Sequence, residues 1–265
     1  EPAKGMVFLE ENKIHICGDG TYECLSITTL NMIGQGFYGA NDYESAIEIL
    51  NIIFARTDEY LLSVGGDISD KIQPYYRYGM IYMKWGQYDK AIEGFSKGLS
   101  LLIENESDNY FWIATFTRRL GLVHYYMEDY KNASKYYLDA TIADKDMDIG
   151  EIHNMKATCG SGLMEELIGN NETAKNNIKE CTAWIVENIN EINEDYGAYE
   201  TIWPVYLYHT KRNNPEEALK YLQMAYEIVG DKQVQAYHGH PERDTDPEFF
   251  YSREIITTYE SSIAQ

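Results

Sequence analysis

The chain has 265 residues, 43 of them acidic and 22 basic, for a formal net charge of −21. With 44% hydrophobic and 14% aromatic residues it has ample material for a core, which excludes a disordered acidic tail. The charge argues against nucleic acid and membrane as partners, because a phosphate surface requires a basic face, and no run of about 18 apolar residues offers a span.

In chain order, residues 1–26 come first as an N-terminal arm. Within it, residues 6–24 alternate apolar and polar and turn at Gly18-Asp19-Gly20, which predicts a short hairpin or an extended arm. Cys17 and Cys24 flank that turn, either bonded or as two reduced thiols. From residue 27 to 232 one pattern recurs. Tyr43-Glu44-Ser45-Ala46, Tyr88-Asp89-Lys90-Ala91 and Tyr130-Lys131-Asn132-Ala133 share an aromatic residue three positions before alanine. Weaker copies end at Ala174 and Ala218. Successive alanines lie 45, 42, 41 and 44 residues apart. Twelve positions before them stand Gly34, Gly79, Gly121 and Gly162, with Tyr206 breaking the pattern in the fifth copy.

Each copy predicts a helix, a turn and a second helix. In the second, Tyr75, Tyr78, Tyr82 and Trp85 lie three or four apart on one helical stripe. Gly86-Gln87 makes the turn, and Ala91, Phe95 and Leu99 mark the inner face of the second helix, with Ala91 at the closest approach. Cys159 and Cys181 fall in helical patterns and read as buried thiols. Pro204 predicts a kink in the first helix of the fifth copy, or a helix that begins near it. Residues 233–265 follow as a loop with Pro241 and Pro247, then a closing helix carrying Phe249, Phe250, Ile255, Ile256 and Tyr259.

These units resemble the tetratricopeptide repeat family, whose consensus runs aromatic or Leu, Leu-Gly, Tyr, a Gly-containing turn, then Ala, aromatic and Ala. Residues 72–105 fit best, through Tyr75, Gly79, Tyr82, Gly86, Tyr88, Ala91, Phe95 and Leu99. Residues 27–60 and 114–147 fit well, and 155–188 and 199–232 in part. The spacing exceeds the family's period of about 34 residues, which marks a long-period variant. The resemblance implies an all-α fold, an α–α superhelix of helix-turn-helix repeats with a closing C-terminal helix. It also implies a non-catalytic module that binds a protein or peptide as adaptor or scaffold. A peptide-responsive regulatory domain of a larger signalling protein is the alternative, and an enzyme with an unrecognised site the third reading.

In such an array the first helices line a groove. The residues expected to bind peptide there are Tyr76, Arg77, Lys84, Arg118, Arg119, Tyr125, Tyr126 and Trp203, because Arg beside Tyr or Trp combines contact area with directed polar contacts. Guanidinium groups on that face would favour an acidic partner. The competing reading is that these side chains only bridge neighbouring units. Members of the family that bind chaperone C-termini use a two-carboxylate clamp of Lys, Asn and Arg. The matching positions here hold Asn31, Gln35, Thr115 and Arg119, and only Arg119 fits.

Catalytic signals are missing. There is no GxSxG, HExxH, phosphate-cradling Gly loop or EF-hand pattern. Glu165-Glu166 and Glu216-Glu217 are adjacent on helices and point about 100° apart, so they form no acid/base pair. His124 and His209 read as core or boundary residues. His238-Gly239-His240 with Glu242, Asp244 and Asp246 is rich in metal-capable groups, but a Pro/Gly loop fixes no convergence, so no metal and no cofactor are expected. The compartment stays open, with cytoplasm favoured over export.

Overall fold

Five times along the chain the backbone reverses through the same turn. Asn41, Gly86, Glu128, Gly169 and Asn213 have φ of 60°, 75°, 59°, 91° and 53°. Each stands five positions before a repeat alanine. The next amide reaches back to close the helix end: Asp42 to Phe37, Gln87 to Tyr82, Asp129 to His124, Asn170 to Glu165 and Asn214 to His209, at 2.8 to 3.0 Å. This is the Schellman arrangement, which satisfies carbonyls orphaned at a helix C-terminus. The residue that closes one helix also opens the next. The Asp42 carboxylate accepts the Ser45 amide at 3.2 Å, and the Asp129 carboxylate accepts that of Asn132 at 3.3 Å.

The computed structural model describes residues 17, 21–64, 68–105, 108–145, 151–189, 192, 199–228 and 252–263. Among them are eleven α-helices longer than one turn and no strand. They are α1 (Ile27–Gly39), α2 (Tyr43–Val64), α3 (Ile68–Lys84), α4 (Tyr88–Glu104), α5 (Tyr110–Tyr126), α6 (Tyr130–Lys145), α7 (Glu151–Ile168), α8 (Asn171–Glu187), α9 (Tyr199–Lys211), α10 (Pro215–Tyr226) and α11 (Ser252–Ile263). The chain divides into two compact units, residues 1–108 and 109–265. Of the predicted N-terminal hairpin only residues 17 and 21–24 are described, with no strand among them, and the loop after residue 232 and the His238–Asp246 cluster lie outside the described residues.

In the first unit α1 packs on α2, α2 on α3 and α3 on α4. Leu30, Ile33, Phe37, Ala46, Ile49, Leu50 and Ile53 form one buried cluster. Aromatic rings extend it, with Phe54 and Tyr75 at 4.7 Å and Tyr78 and Tyr82 at 4.6 Å between centroids. Ala91 is fully buried, but the tightest backbone approach in its pair is elsewhere. A Cβ on Gly94 would lie 2.9 Å from the Gly79 nitrogen, so two glycines let α3 and α4 touch.

In the second unit α6 packs on both α5 and α7, α7 also on α8 and α9, α9 on α10, and α10 on α11. The Tyr137 ring of α6 sits against Gly121 of α5 and Gly160 of α7, glycines with no side chain to displace it. Ile255 of α11 is buried, and Tyr259 stacks on Tyr226 of α10 at 4.1 Å. Each unit is thus a stack of helix-turn-helix pairs of the α–α superhelix class.

One local expectation changes. Cys159 and Cys181 are not thiols: they form a buried disulfide joining α7 to α8, and Cys17 and Cys24 form a second one. Helical periodicity gives the burial of each cysteine, but pairing depends on how two helices are set against each other. Pro204 lies inside α9, which begins at Tyr199 and continues to Lys211. The missing Pro204 amide would have bonded the Glu200 carbonyl, so the helix forgoes one bond near its start and continues.

Candidate functional site

Three first helices of the second unit, α5, α7 and α9, bring charge into its interior. Arg118 and Arg119 come from the middle of α5, Lys156 from α7 and Glu200 from the first turn of α9. With Leu122 and Tyr137 they line a cavity of about 20 Å³. The Arg119 guanidinium donates to Glu200 Oε1 at 3.0 Å, across 81 residues of sequence, and both side chains are largely buried. Lys156 is only 9% exposed. Arg118 Nη2 lies 3.5 Å from the Thr115 hydroxyl.

A carboxylate in this setting is subject to opposed forces. Burial alone would push the Glu200 carboxyl up, but Arg119, Lys156 and Arg118 together outweigh it and hold its pKa below the usual range. Glu200 is therefore ionised at neutral pH and faces three cations. A buried charge is tolerated only when paired in this way.

The other predicted groove residues have varied surroundings. In the first unit Arg77 donates to the Asn31 carbonyl at 3.2 Å and to its side chain at 3.1 Å, tying α3 to α1. Tyr76 faces Phe95 at 6.1 Å, and Lys84 is half-buried. In the second unit Tyr125 packs edge-on to Tyr126 at 5.5 Å and near Tyr130 of α6 at 6.1 Å. Trp203 is 3% exposed, with its ring stacked on Tyr206 at 4.7 Å. Arg118 and Arg119 are the pair that the fold gathers into one cavity, together with Lys156. Glu200 is the residue that sequence reasoning missed. It lies outside the aromatic–alanine register, and nothing local distinguishes it from the other acidic residues.

Neighbouring polar groups act as braces between pairs. Arg212 Nη2 bonds Glu166 Oε2 at 2.6 Å and Asn171 Oδ1 at 2.8 Å. Glu165 instead accepts from the Ser134 hydroxyl and from Asn170 Nδ2, so the adjacent carboxylates serve different partners. His124 pairs with Asp129 at 3.2 Å and stacks on Tyr136, while His209 stacks on Tyr221. Among the described residues no group of three or more His, Cys, Asp or Glu is placed to hold a metal ion. No helix among them is long and apolar enough to cross a membrane.

Fold and turn geometry define a helical-repeat protein. A family model for the tetratricopeptide repeat matches residues 72–101, the pair α3–α4 in the first unit. Repeats of this kind typically serve protein–protein interaction. No curated protein sequence matches the chain. Among solved structures, the crystal structure of BtubC (BKLC) from P. vanneervenii is similar, with a TM-score of 0.61 over 90% of this chain and 92% of that one. At 18% identity the likeness is one of fold.

Proposed function

We propose that the protein is a non-catalytic interaction module that binds a protein or peptide segment on the face made by α5, α7 and α9, as an adaptor or scaffold. The observation that carries this reading is the convergence of Arg118, Arg119 and Lys156 on one cavity at the meeting of three first helices. A chain of net charge −21 has gathered cations there, where they attract an acidic segment at short range. Repulsion by the remaining surface is screened beyond about 8 Å at physiological salt.

The informative substitution is Arg118→Glu alone, which reverses one charge of this face and leaves both partners of the Arg119–Glu200 pair in place. Panning a random peptide display library on the wild-type protein should enrich a shared motif. The Arg118→Glu protein should keep its helical circular dichroism and melting temperature and lose that enrichment. If no motif emerges, or the same motif emerges with Arg118→Glu, the partner does not use this face.

A further inference from the structure

We propose that the Cys17–Cys24 disulfide is a site of reversible thiol–disulfide exchange, opened by a dithiol through attack on the Cys24 sulfur, and that its opening releases residues 21–26 from the first helix pair. The site belongs to the first unit and is independent of the binding face in the second. The two disulfides of the chain differ in their surroundings. Cys159 and Cys181 are both 0% exposed, so a reagent reaches them only when the second unit opens. Cys24 is exposed and Cys17 half-buried, so a thiolate has access to one sulfur of this pair in the folded protein.

The geometry also gives the exchange a direction. The Cys24 amide donates to Cys17 Sγ at 3.0 Å, so a donor is already aimed at the sulfur that must leave. A thiolate attacking Cys24 forms a new S–S bond to it. The Cys17–Cys24 bond breaks, and its electron pair goes to Cys17, where that amide stabilises the departing thiolate. The reductant's second thiol, as thiolate, then attacks the reductant's own sulfur in the mixed disulfide. This closes the reductant's disulfide and expels Cys24, and the two protons of the dithiol finish on Cys17 and Cys24. Attack at Cys17 would meet the less exposed sulfur and leave the amide facing no leaving group.

The same disulfide ties down the segment that leads into α1. Arg56 of α2 donates to the carbonyls on either side of Cys24, Glu23 at 3.1 Å and Leu25 at 2.6 Å. Tyr22 and Leu25 pack against the buried cluster of α1 and α2, with Tyr22 edge-on to Phe37 at 6.3 Å. Ser26 caps α1 through the Thr29 amide at 3.1 Å. The disulfide closes residues 17–24 into a loop and so restricts the conformations into which this segment could escape. Once it is open, the hold that remains is a few exposed hydrogen bonds and two half-buried side chains, which places the segment at the low-stability end of the fold. α1 then loses its cap and part of its cover.

The test takes the full native chain through a dithiothreitol series, quenches with iodoacetamide and maps the labels by mass spectrometry. Cys17 and Cys24 should label at least about tenfold faster than Cys159 and Cys181. With glutathione as a monothiol probe, followed by alkylation, the glutathione adduct should map to Cys24 and the alkyl group to Cys17. In hydrogen exchange, reduction should speed the amides of residues 27–37 about tenfold and leave those of α7 and α8 unchanged. Cys17→Ser with Cys24→Ser should show the same fast exchange without reductant. Equal labelling of the two disulfides, or glutathione mapped to Cys17, would overturn the exchange site. Unchanged exchange of α1 in both the reduced chain and the double Ser variant would overturn the release.

Discussion

The two units have different interiors. Among the described residues, Thr115, Thr117, Ser134, Lys156, Thr158, Ser161, Glu166 and Thr201 are the buried polar or charged side chains, and all belong to the second unit. The first is filled with aliphatic and aromatic groups. Both use the same turn and the same helix pairing, so the contrast does not come from the fold. Burying an ionised group is costly unless its partners are in place. The second unit therefore carries a burden that packing alone would not impose, and it carries it where three helices meet at Arg119 and Glu200. The first unit shows what the repeat needs for stability, and the second shows what has been added.

If the second unit offsets its polar interior with a covalent tie, breaking that tie should produce the largest loss. Replacing Cys159 and Cys181 together by Ala should lower unfolding free energy by about 3 kcal/mol, against about 2 kcal/mol for the pair Cys17 and Cys24, whose loop is shorter. Urea titrations of the two double variants measure this. Alkylation of the unreduced, unfolded wild-type chain should label no cysteine, and labelled Cys159 or Cys181 would remove the basis of the comparison.

In the first unit stability depends on close packing, so an added methyl should suffice to disturb it. Gly94→Ala drives a Cβ toward the Gly79 backbone and the Tyr78 ring. It should cost about 1–3 kcal/mol, the range for overpacking against groups that cannot move aside. A variant as stable as wild type would mean that α3 and α4 separate easily, and the contrast in packing would weaken.

A pH titration probes the charged cluster directly. The Glu200 carboxyl is held below its usual pKa by Arg119, Lys156 and Arg118 against the opposing effect of burial. A depressed carboxyl contributes stability above its unfolded pKa and loses that contribution as pH falls through the lower, folded value. The stability difference between wild type and Glu200→Gln should therefore be constant near neutrality and shrink below about pH 4.5. A difference that does not change down to pH 3 would show that the Glu200 pKa is the same in the folded and unfolded chain, so that the three cations do not hold it down.

Much of this was legible in the sequence, and what was missed has a physical cause. The helix pairs follow from local chemistry: an aromatic stripe at helical spacing, a small residue, a turn and an alanine. The helix stop is legible at Gly86, where glycine supplies the positive φ of the expected turn. Arg118 and Arg119 were visible as cations on a first helix. Glu200 and the Cys159–Cys181 bond were not, because each depends on a partner from a different helix, and spacing along one helix carries no information about that. Gly94 was missed for the same reason, since its neighbour Gly79 belongs to the other helix of the pair.

The smallest expected effect concerns the turn itself. The first unit reverses at Asn41 and Gly86, residues that tolerate positive φ, but the second begins with Glu128 at 59°. A side chain with a Cβ pays roughly 1–2 kcal/mol in this conformation. Glycine removes that strain but has more freedom to lose on folding, roughly 0.5–1 kcal/mol. The balance favours glycine, so Glu128→Gly should stabilise the protein by about 0.5–1 kcal/mol, read as a higher urea midpoint at unchanged slope. Asn213→Gly should change it by a few tenths at most, because Asn already adopts this region with little strain. Gly169→Ala, at 91°, should lose about 1 kcal/mol or more. If Glu128→Gly destabilises instead, the Glu128 side chain makes a contact worth more than its backbone strain. The turn beside Asp129 and His124 would then belong with the added features of the second unit and not with the shared repeat.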